Sequence, residues 1–341
     1  MRHNDLAILD DLTLPELEIR LDLHTRELIP VTKYTAFSWS NSRHGMLQRC
    51  RRQYYLNYYG SRRVRESREP VVSAIWWLKQ ATSLPAWIGS VVHETAKTAV
   101  TTLQQGGTPD AAELVENAKQ MYRGGLQASR RGAKFGNQWV ILQEHLQPDS
   151  DDLFAEAEGE FRISQLVEDL LASEVFDWLR GLPRGSIREV DPSFRSFTLP
   201  DVPPLGDVRV FAIPDVLVLD GDELHIVDWK TGDVTREGIR TQAGVYRLFA
   251  HHEYGMPEEA IHFRLVDLAG GGVEVGLAGD APSLAEADAF VRASINHMVA
   301  GMEHPRYNTA AIRYYPRTDE TALCRHCPFQ RACWRHEDAD D

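Results

Sequence analysis

The sequence lacks several features that would assign the chain to common protein classes. No apolar run approaches the roughly 20 residues that a membrane-spanning helix needs, so we expect no membrane segment. Residues 1–6 show no charged head followed by an apolar segment, so we expect no secretory signal and a cytoplasmic location. No internal repeat is present, and neither is the Gly-x4-Gly-Lys-Ser/Thr motif of a nucleotide-driven helicase.

Cysteine is scarce, with four residues in 341. Three of them, Cys324, Cys327 and Cys333, lie in one short segment, and Cys50 lies far upstream. Cys-x2-Cys spacing in a cytosolic chain favours a metal site over disulfides. Four thiolates are what a [4Fe–4S] cluster requires. A Zn²⁺ site completed by His326 and His336 is the second alternative, and four independent buried cysteines are the third.

Negative charge dominates the composition, and the net charge of −13 argues against a protein that coats nucleic acid indiscriminately. One stretch differs, because residues 43–68 carry eight arginines against the single acidic Glu66. Arginines contact phosphates and aromatic rings stack on bases in single-strand grooves. The stretch predicts a DNA-binding surface built on Arg43, Arg49, Arg51, Arg52, Tyr54 and Tyr55. The alternative is a helix whose tyrosines pack inward and whose arginines face water.

Two apolar runs, Val208–Leu219 and Glu223–Gly232, flank a turn that contains Gly221. Such runs around a glycine-containing turn predict a pair of antiparallel strands. Side chains alternate along a strand, so Asp228 and Lys230 should project from the same face.

A simple register about this turn sets Asp215 opposite Val227, one position away from Asp228. A bulge, or a bend at Pro214, would close that offset. Two aspartates that share a small volume repel each other unless a cation lies between them. Lys230 beside them is suited to the negative charge that develops on a phosphate during its transfer.

These motifs resemble the PD-(D/E)XK nuclease superfamily. Pro214-Asp215 followed by Asp228-x-Lys230 is similar to the pattern that names it, and residues 228–232 resemble the RecB-type version. Three more motifs match the family, and together the matched positions span nearly the whole chain. Gly89–His93 resembles the segment that carries the family's upstream histidine, Gln242–Tyr246 resembles its Gln-x3-Tyr motif, and the four cysteines resemble those of the iron–sulfur branch. That branch includes AddB-type helicase–nucleases and the CRISPR-associated RecB-like exonucleases.

The resemblance implies a set of site residues. Asp215, Asp228 and the backbone carbonyl of Trp229 would bind Mg²⁺ or Mn²⁺, with His93 as a further metal ligand. Lys230 would orient the attacking water or stabilise the pentavalent phosphate. Gln242 and Tyr246, one helical turn apart, would hold the DNA strand near the metal. Cys50, Cys324, Cys327 and Cys333 would hold a [4Fe–4S] cluster.

The expected fold is α/β, with a restriction-endonuclease-like mixed sheet flanked by helices. An iron–sulfur staple would join its N- and C-terminal parts. Residues 61–84 are expected to be a loop or a partner-facing element. The expected organisation is a peripheral segment at 1–35, one nuclease domain at 36–335 with a helical insertion at 107–185 and a cysteine-rich segment at 320–335, and an acidic tail at 336–341.

The sequence thus predicts a metal-dependent DNA nuclease that acts as an exonuclease on single strands or duplex ends. The expected partners are DNA and a helicase or other DNA-processing protein. The expected setting is recombination, repair or phage- and CRISPR-linked defence. The alternative is a catalytically silent iron–sulfur subunit that binds DNA or scaffolds a helicase–nuclease complex.

Overall fold

Helices and mixed sheets alternate along the chain in the computed structural model, which describes residues 4–27, 36–62, 69–146, 156–233, 235–277 and 280–333. The predicted acidic tail and three of the arginines in the basic stretch, Arg63, Arg65 and Arg68, lie outside these ranges. The helices are Asn4–Ala7 (α1), Leu14–Glu27 (α2), Asn41–Arg49 (α3), Arg51–Tyr55 (α4), Pro70–Lys79 (α5), Leu84–Gln104 (α6), Ala111–Arg130 (α7), Glu156–Ala172 (α8), Glu174–Gly181 (α9), Arg236–Tyr254 (α10), Leu284–Val299 (α11) and Gln330–Cys333 (α12).

The strands are short, and most are concentrated between residues 187 and 275. They are Ser38–Ser40 (β1), Ala81–Thr82 (β2), Lys134–Phe135 (β3), Gln138–Trp139 (β4), Ile141–Leu142 (β5), Ile187–Val190 (β6), Ser196–Val202 (β7), Gly206–Phe211 (β8), Val216–Asp220 (β9), Glu223–Lys230 (β10), Ile261–Asp267 (β11) and Val273–Val275 (β12).

The central sheet has five strands in the order β12-β11-β10-β9-β6. Strands β10 and β11 run parallel, and α10 connects them, whereas β9 and β10 form an antiparallel hairpin. A parallel pair needs such a crossover, because its two strands start at the same edge of the sheet. The mixed α/β architecture predicted from the sequence is therefore confirmed.

The hairpin register differs from the one predicted. Asp220 pairs with Glu223 and Val216 with Val227, so the turn contains only Gly221 and Asp222. Gly221 has a φ of 61°, a left-handed conformation that glycine adopts without a steric penalty. Continued by one residue, this register sets Asp215 opposite Asp228, so no bulge is needed to bring the two carboxylates together.

The apolar run at 208–219, which contains Asp215, is divided between two sheets. Strand β8 pairs with β7 and β1 in a separate three-stranded sheet, and β9 begins only at Val216. Pro214 lies in the connection, where its missing N–H removes no ladder hydrogen bond.

The hairpin separates two hydrophobic cores. Leu217, Leu224 and Ile226 pack on one side with residues of α10, and Val216, Val227 and Trp229 pack on the other with residues of α6. Alternation along β10 explains this division, because successive side chains point to opposite faces. Two helices on opposite faces can therefore both reach the end of the strand that carries Asp228.

Two segments that were expected to lie at the surface contribute to the core. Five leucines of α1, α2 and the loop between them belong to the same core as α10, so the described part of the segment predicted to be peripheral at 1–35 packs on the core (Leu6, Leu9, Leu12, Leu17 and Leu21). Helix α5 buries Val71, Ile75 and Leu78, so the predicted loop at 61–84 is largely a packed helix in its described part.

The segment predicted as a helical insertion contains α7, α8 and α9, with short strands after α7. Its apolar side chains, among them Tyr122, Leu166 and Phe176, pack with α6 and the central sheet. Among the described helices, none combines the length and the apolar character that crossing a membrane requires.

Candidate active site and cysteine cluster

Asp215, immediately before β9, is held on both sides. Its Oδ1 lies 3.1 Å from His93 Nδ1 on α6, and its Oδ2 accepts a hydrogen bond of 2.8 Å from the backbone N–H of Trp229. The N–H and C=O of one residue in an extended strand point to the same side. The Trp229 carbonyl therefore points to the side where Asp215 lies, as the predicted metal site requires.

Asp228 is almost fully buried, at 3% exposure, and lies among polar groups from α10. Its Oδ1 accepts a hydrogen bond of 3.0 Å from Gln242 Nε2 and lies 3.0 Å from the Tyr246 hydroxyl. The same hydroxyl lies 2.7 Å from the carbonyl oxygen of Ile213. The ammonium of Lys230 lies 2.5 Å from Asp228 Oδ2.

The buried acid has an altered protonation equilibrium. Burial, and after it the negative charge of Asp215, raises the pKa of Asp228 to about 6, although Lys230 and His93 act in the opposite direction. The pKa of Asp228 stays raised although the Lys230 ammonium lies beside it, so this ammonium does not balance the negative charge of the two aspartates. A divalent cation would supply the missing positive charge. The donor set of two carboxylates, an imidazole and a carbonyl fits Mg²⁺ or Mn²⁺.

His93 and Tyr246 are also shifted by this acidic pair. Burial lowers the pKa of His93, but the hydrogen bond and charge of Asp215 outweigh it, and the pKa lies above its ordinary value. Burial and the charges of Asp228 and Asp215 raise the pKa of Tyr246 well above its ordinary value, so the phenol keeps its proton.

Gly89 explains how α6 approaches the strand end so closely. A Cβ on Gly89 would lie 2.8 Å from Thr231 Oγ1, closer than side chains tolerate. His93 follows four residues later and lies on the same face of the helix. The glycine of the Gly89–His93 motif therefore brings the histidine to Asp215.

A cleft of about 800 Å³ opens beside Asp215 and His93. One wall is α6, and another comes from α7 and the following hairpin, through Met121, Phe135 and Asn137. The segment predicted as an insertion therefore lines the cleft. This volume lies within the range of small-molecule and substrate pockets.

Sequence reasoning missed the loop at 191–195, which lies next to the site. The N–H of Asp191 donates a 2.7 Å hydrogen bond to the carbonyl of Asp215, and Ala212 donates one of 3.1 Å to the carbonyl of Arg195. Between these anchors Phe194 has a φ of 61° and is 83% exposed. Asp191-Pro192-Ser193 is turn-forming in composition, but nothing in the sequence places that turn beside Asp215.

The four cysteines line one small cavity, although Cys50 precedes the others by more than 270 residues. All four are free of disulfides. Cys50 caps α4, and its sulfur accepts a hydrogen bond of 3.4 Å from the N–H of Gln53. Burial raises the pKa of Cys327 to about 11 and that of Cys333 to about 12, so without a metal these thiols stay protonated at neutral pH. Convergence of four thiols in one cavity fits a metal or cluster site.

The prediction that Tyr54 and Tyr55 bind DNA is wrong in this structure, because both rings are fully buried. Both rings pack against Tyr59 and Tyr315 in an aromatic cluster. A buried ring cannot stack on a base.

Two of the four predicted DNA-binding arginines are buried as well. Arg52 donates a 2.8 Å hydrogen bond to the Tyr315 carbonyl and pairs with Glu18 at 2.6 Å. Arg43 bonds to Ser38 Oγ at 2.8 Å and lies over the Tyr58 ring. Arg49 and Arg51 are exposed, and Arg51 contacts His297.

The fold and the convergence of these side chains define an α/β protein with an acidic pocket whose donor set fits a divalent metal ion. The family model of the PD-(D/E)XK nuclease superfamily matches residues 38–334, which is most of the chain. The chain therefore belongs to the PD-(D/E)XK nuclease superfamily. A comparison with curated proteins found no match.

Proposed function

We propose that this chain is a divalent-metal-dependent DNA nuclease whose centre consists of Asp215, Asp228 and Lys230. The observation that carries the proposal is the position of Asp215, just before β9, opposite Asp228 of β10, with His93 at 3.1 Å from the first and Lys230 at 2.5 Å from the second. Family membership supports the same chemistry, because nucleases of this superfamily are typically metal-dependent.

The metal would be held by Asp215, Asp228, the Trp229 carbonyl and His93. When bound, Mg²⁺ or Mn²⁺ would polarise the phosphoryl oxygens and lower the pKa of a water that attacks the phosphodiester. Lys230 lies on the same strand face as Asp228, where its ammonium would balance charge on the pentavalent phosphate.

Gln242 and Tyr246 serve in this proposal as positioning residues. Both contact Asp228 Oδ1 from α10, and the Tyr246 hydroxyl is also close to the Ile213 carbonyl. This role differs from the contact with the DNA strand that the resemblance implied. Fixing the carboxylate from behind leaves its other oxygen toward Lys230 and the metal position.

The substrate proposed is single-stranded DNA or a duplex end, degraded from the end as by an exonuclease. The exposed ring of Phe194 supports it, because this residue lies in the 191–195 loop that bonds to Asp215 and because bases of unpaired strands stack on exposed aromatic rings. A helicase or other DNA-processing protein would supply ends, in recombination, repair or phage- and CRISPR-linked defence, within the cytoplasm.

Linear and circular single strands test this mode directly. Linear DNA labelled at its 5′ or 3′ end and a closed circle of the same sequence are incubated with Mg²⁺ or Mn²⁺. We expect loss of the linear strands while the circle persists, and the order of label release gives the polarity. Cutting of the circle would contradict the exonuclease mode. Intact linear and circular DNA would favour the catalytically silent alternative.

The cysteine cavity is proposed to hold a [4Fe–4S] cluster that ties α4 to the C-terminal segment. Support comes from four free thiols in one cavity together with the one-plus-three cysteine arrangement of the iron–sulfur branch. Anaerobically purified protein should be brown, absorb near 400 nm and contain about four irons per chain. Cys333→Ser should lose the colour, whereas colourless protein with one Zn²⁺ per chain would contradict the cluster.

A further inference from the structure

A second group of metal-ligand side chains lies at the opposite end of β10 from Lys230. Glu223 begins the strand, and His225 follows two residues later on the same face. In the parallel ladder His225 stands directly opposite His262 of β11. The group is separated from Asp228 by about 10 Å along the strand and lies on the other face.

Three ligand atoms of this group converge. Glu223 Oε2 lies 3.7 Å from His225 Nε2 and 3.4 Å from His262 Nε2, and all three atoms lie within 4.8 Å of one another. The two imidazole rings stack at 4.8 Å with an interplanar angle of 25°. Ligands about 2.0–2.2 Å from a tetrahedral ion lie roughly 3.3–3.6 Å apart, so small side-chain movements would suffice.

Hydrogen bonds do not account for this arrangement. His262 Nε2 is buried and makes no hydrogen bond within the part of the chain that the structure describes, since its 3.4 Å approach to Glu223 Oε2 lacks hydrogen-bond geometry. Buried polar atoms without partners are uncommon in folded proteins, and each calls for a physical explanation. A metal ion that accepts the His262 lone pair supplies one.

The surroundings are compatible with a cation. Trp178 packs against the His225 ring, and Arg264 lies over Trp178 at 4.3 Å. The charge of Arg264 is compensated by Glu274, with a bond of 2.9 Å from Nε to Oε1. Glu223 is more than half exposed, so ions have access from solvent.

We propose that Glu223, His225 and His262 bind a divalent cation of the Zn²⁺ or Ni²⁺ class, separate from the nuclease centre. Two imidazoles and one carboxylate suit these ions, whereas Mg²⁺ prefers oxygen ligands. The bound ion cross-links β10 and β11 at the sheet edge where both strands begin. The site is independent of nuclease activity, so its test does not depend on cleavage.

Isothermal titration calorimetry, with Ni²⁺ added to the full-length protein, tests the proposal. Whatever the cysteine site holds after purification is left in place. We expect His262→Gln to bind one Ni²⁺ fewer per chain, or to bind that ion at least about tenfold more weakly than wild type. His251→Gln, at an exposed histidine of α10, is the matched control and should behave as wild type.

Glu223→Gln provides a second variant at an exposed position, in case His262→Gln does not fold, and should weaken the same ion by a similar factor. Equal stoichiometry and affinity in wild type and both variants would overturn the proposal. An equal loss in His251→Gln would also overturn it, because Ni²⁺ would then be binding surface histidines without selectivity.

Discussion

Gly89 and Thr231 meet at the point where α6 crosses the end of β10. A methyl group on Gly89 would lie 2.8 Å from Thr231 Oγ1, and the next atom, Thr231 Cβ, would be 3.9 Å away. The Thr231 hydroxyl is therefore the group that a side chain at this position of α6 would strike first.

Gly89→Ala should move α6 and separate His93 from Asp215. Overpacking of this kind costs about 1–3 kcal/mol, and we expect metal-dependent cleavage to fall at least about tenfold. Thr231→Ala removes the clashing oxygen, so Gly89→Ala/Thr231→Ala should recover most of the activity. Cleavage rates of the four proteins at equal metal concentration check this. A double variant no better than Gly89→Ala would contradict the steric explanation.

Tyr246→Phe should weaken metal binding more than it affects folding. The hydroxyl lies 3.0 Å from Asp228 Oδ1, and loss of such a supporting contact reduces metal affinity by about 10–100-fold. The Mn²⁺ concentration that gives half-maximal cleavage should rise accordingly. Tyr254→Phe removes a comparable hydroxyl contact, 3.0 Å from Glu189, and should leave that concentration unchanged. Equal shifts in both variants would contradict a positioning role for Tyr246.

The raised pKa of Asp228 gives a stability signature in metal-free protein. Its value rises from 3.8 to about 6 on folding, so the stabilisation is fully present below pH 3.8 and is lost as pH rises through 6. Asp228→Asn removes this dependence, and at pH 8 it should be more stable than wild type by about 1–3 kcal/mol. The pKa of His93 is also raised and changes stability in the same direction. The relevant quantity is therefore the difference in the free energy of unfolding between wild type and Asp228→Asn.

Urea unfolding in a metal chelator at pH 4 and pH 8 measures that difference. We expect it to be large at pH 8 and small at pH 4. A difference that is independent of pH, or largest in acid, would show that Asp228 is not a destabilised buried acid.

Phe194→Ala should weaken binding of single-stranded DNA and leave the chemical step intact. Stacking of one base on an aromatic ring is worth about 1–3 kcal/mol, so the KM should rise roughly 5- to 150-fold with little change in kcat. Phe161→Ala, at an exposed phenylalanine of α8, is the matched control. A fall in kcat alone, or equal effects of both substitutions, would contradict a stacking role.

The hairpin pattern was sufficient to predict that Asp215, Asp228 and Lys230 lie together. The placement of His93, Gln242 and Tyr246 beside them was predicted from the resemblance to the nuclease family, because no local rule brings His93, 122 residues before Asp215, to the strand end. The register was predicted one residue wrong, because the choice between a two-residue and a longer turn depends on the conformation of Gly221. The strand break at Pro214 depends on which sheet each half joins, and that is a tertiary property.

Long-range packing decided what sequence patterns left open. Tyr54 and Tyr55 have the pattern of a nucleic-acid surface, but they are buried against Tyr315, about 260 residues later. The group of Glu223, His225 and His262 depends on the parallel register of β10 and β11, which single-strand periodicity does not specify. The alternation of Glu223 and His225 was its only local signal.

The most direct test of the proposed nuclease centre is cleavage of end-labelled single-stranded DNA in Mg²⁺ or Mn²⁺ by wild type, Asp228→Ala and Asp222→Ala. Asp222 lies exposed in the turn of the same hairpin and controls for loss of one carboxylate. We expect Asp228→Ala to lose at least about a hundredfold in rate, because it removes a metal ligand, and Asp222→Ala to match wild type. Equal degradation by wild type and Asp228→Ala would contradict the assignment of this pocket as the catalytic centre.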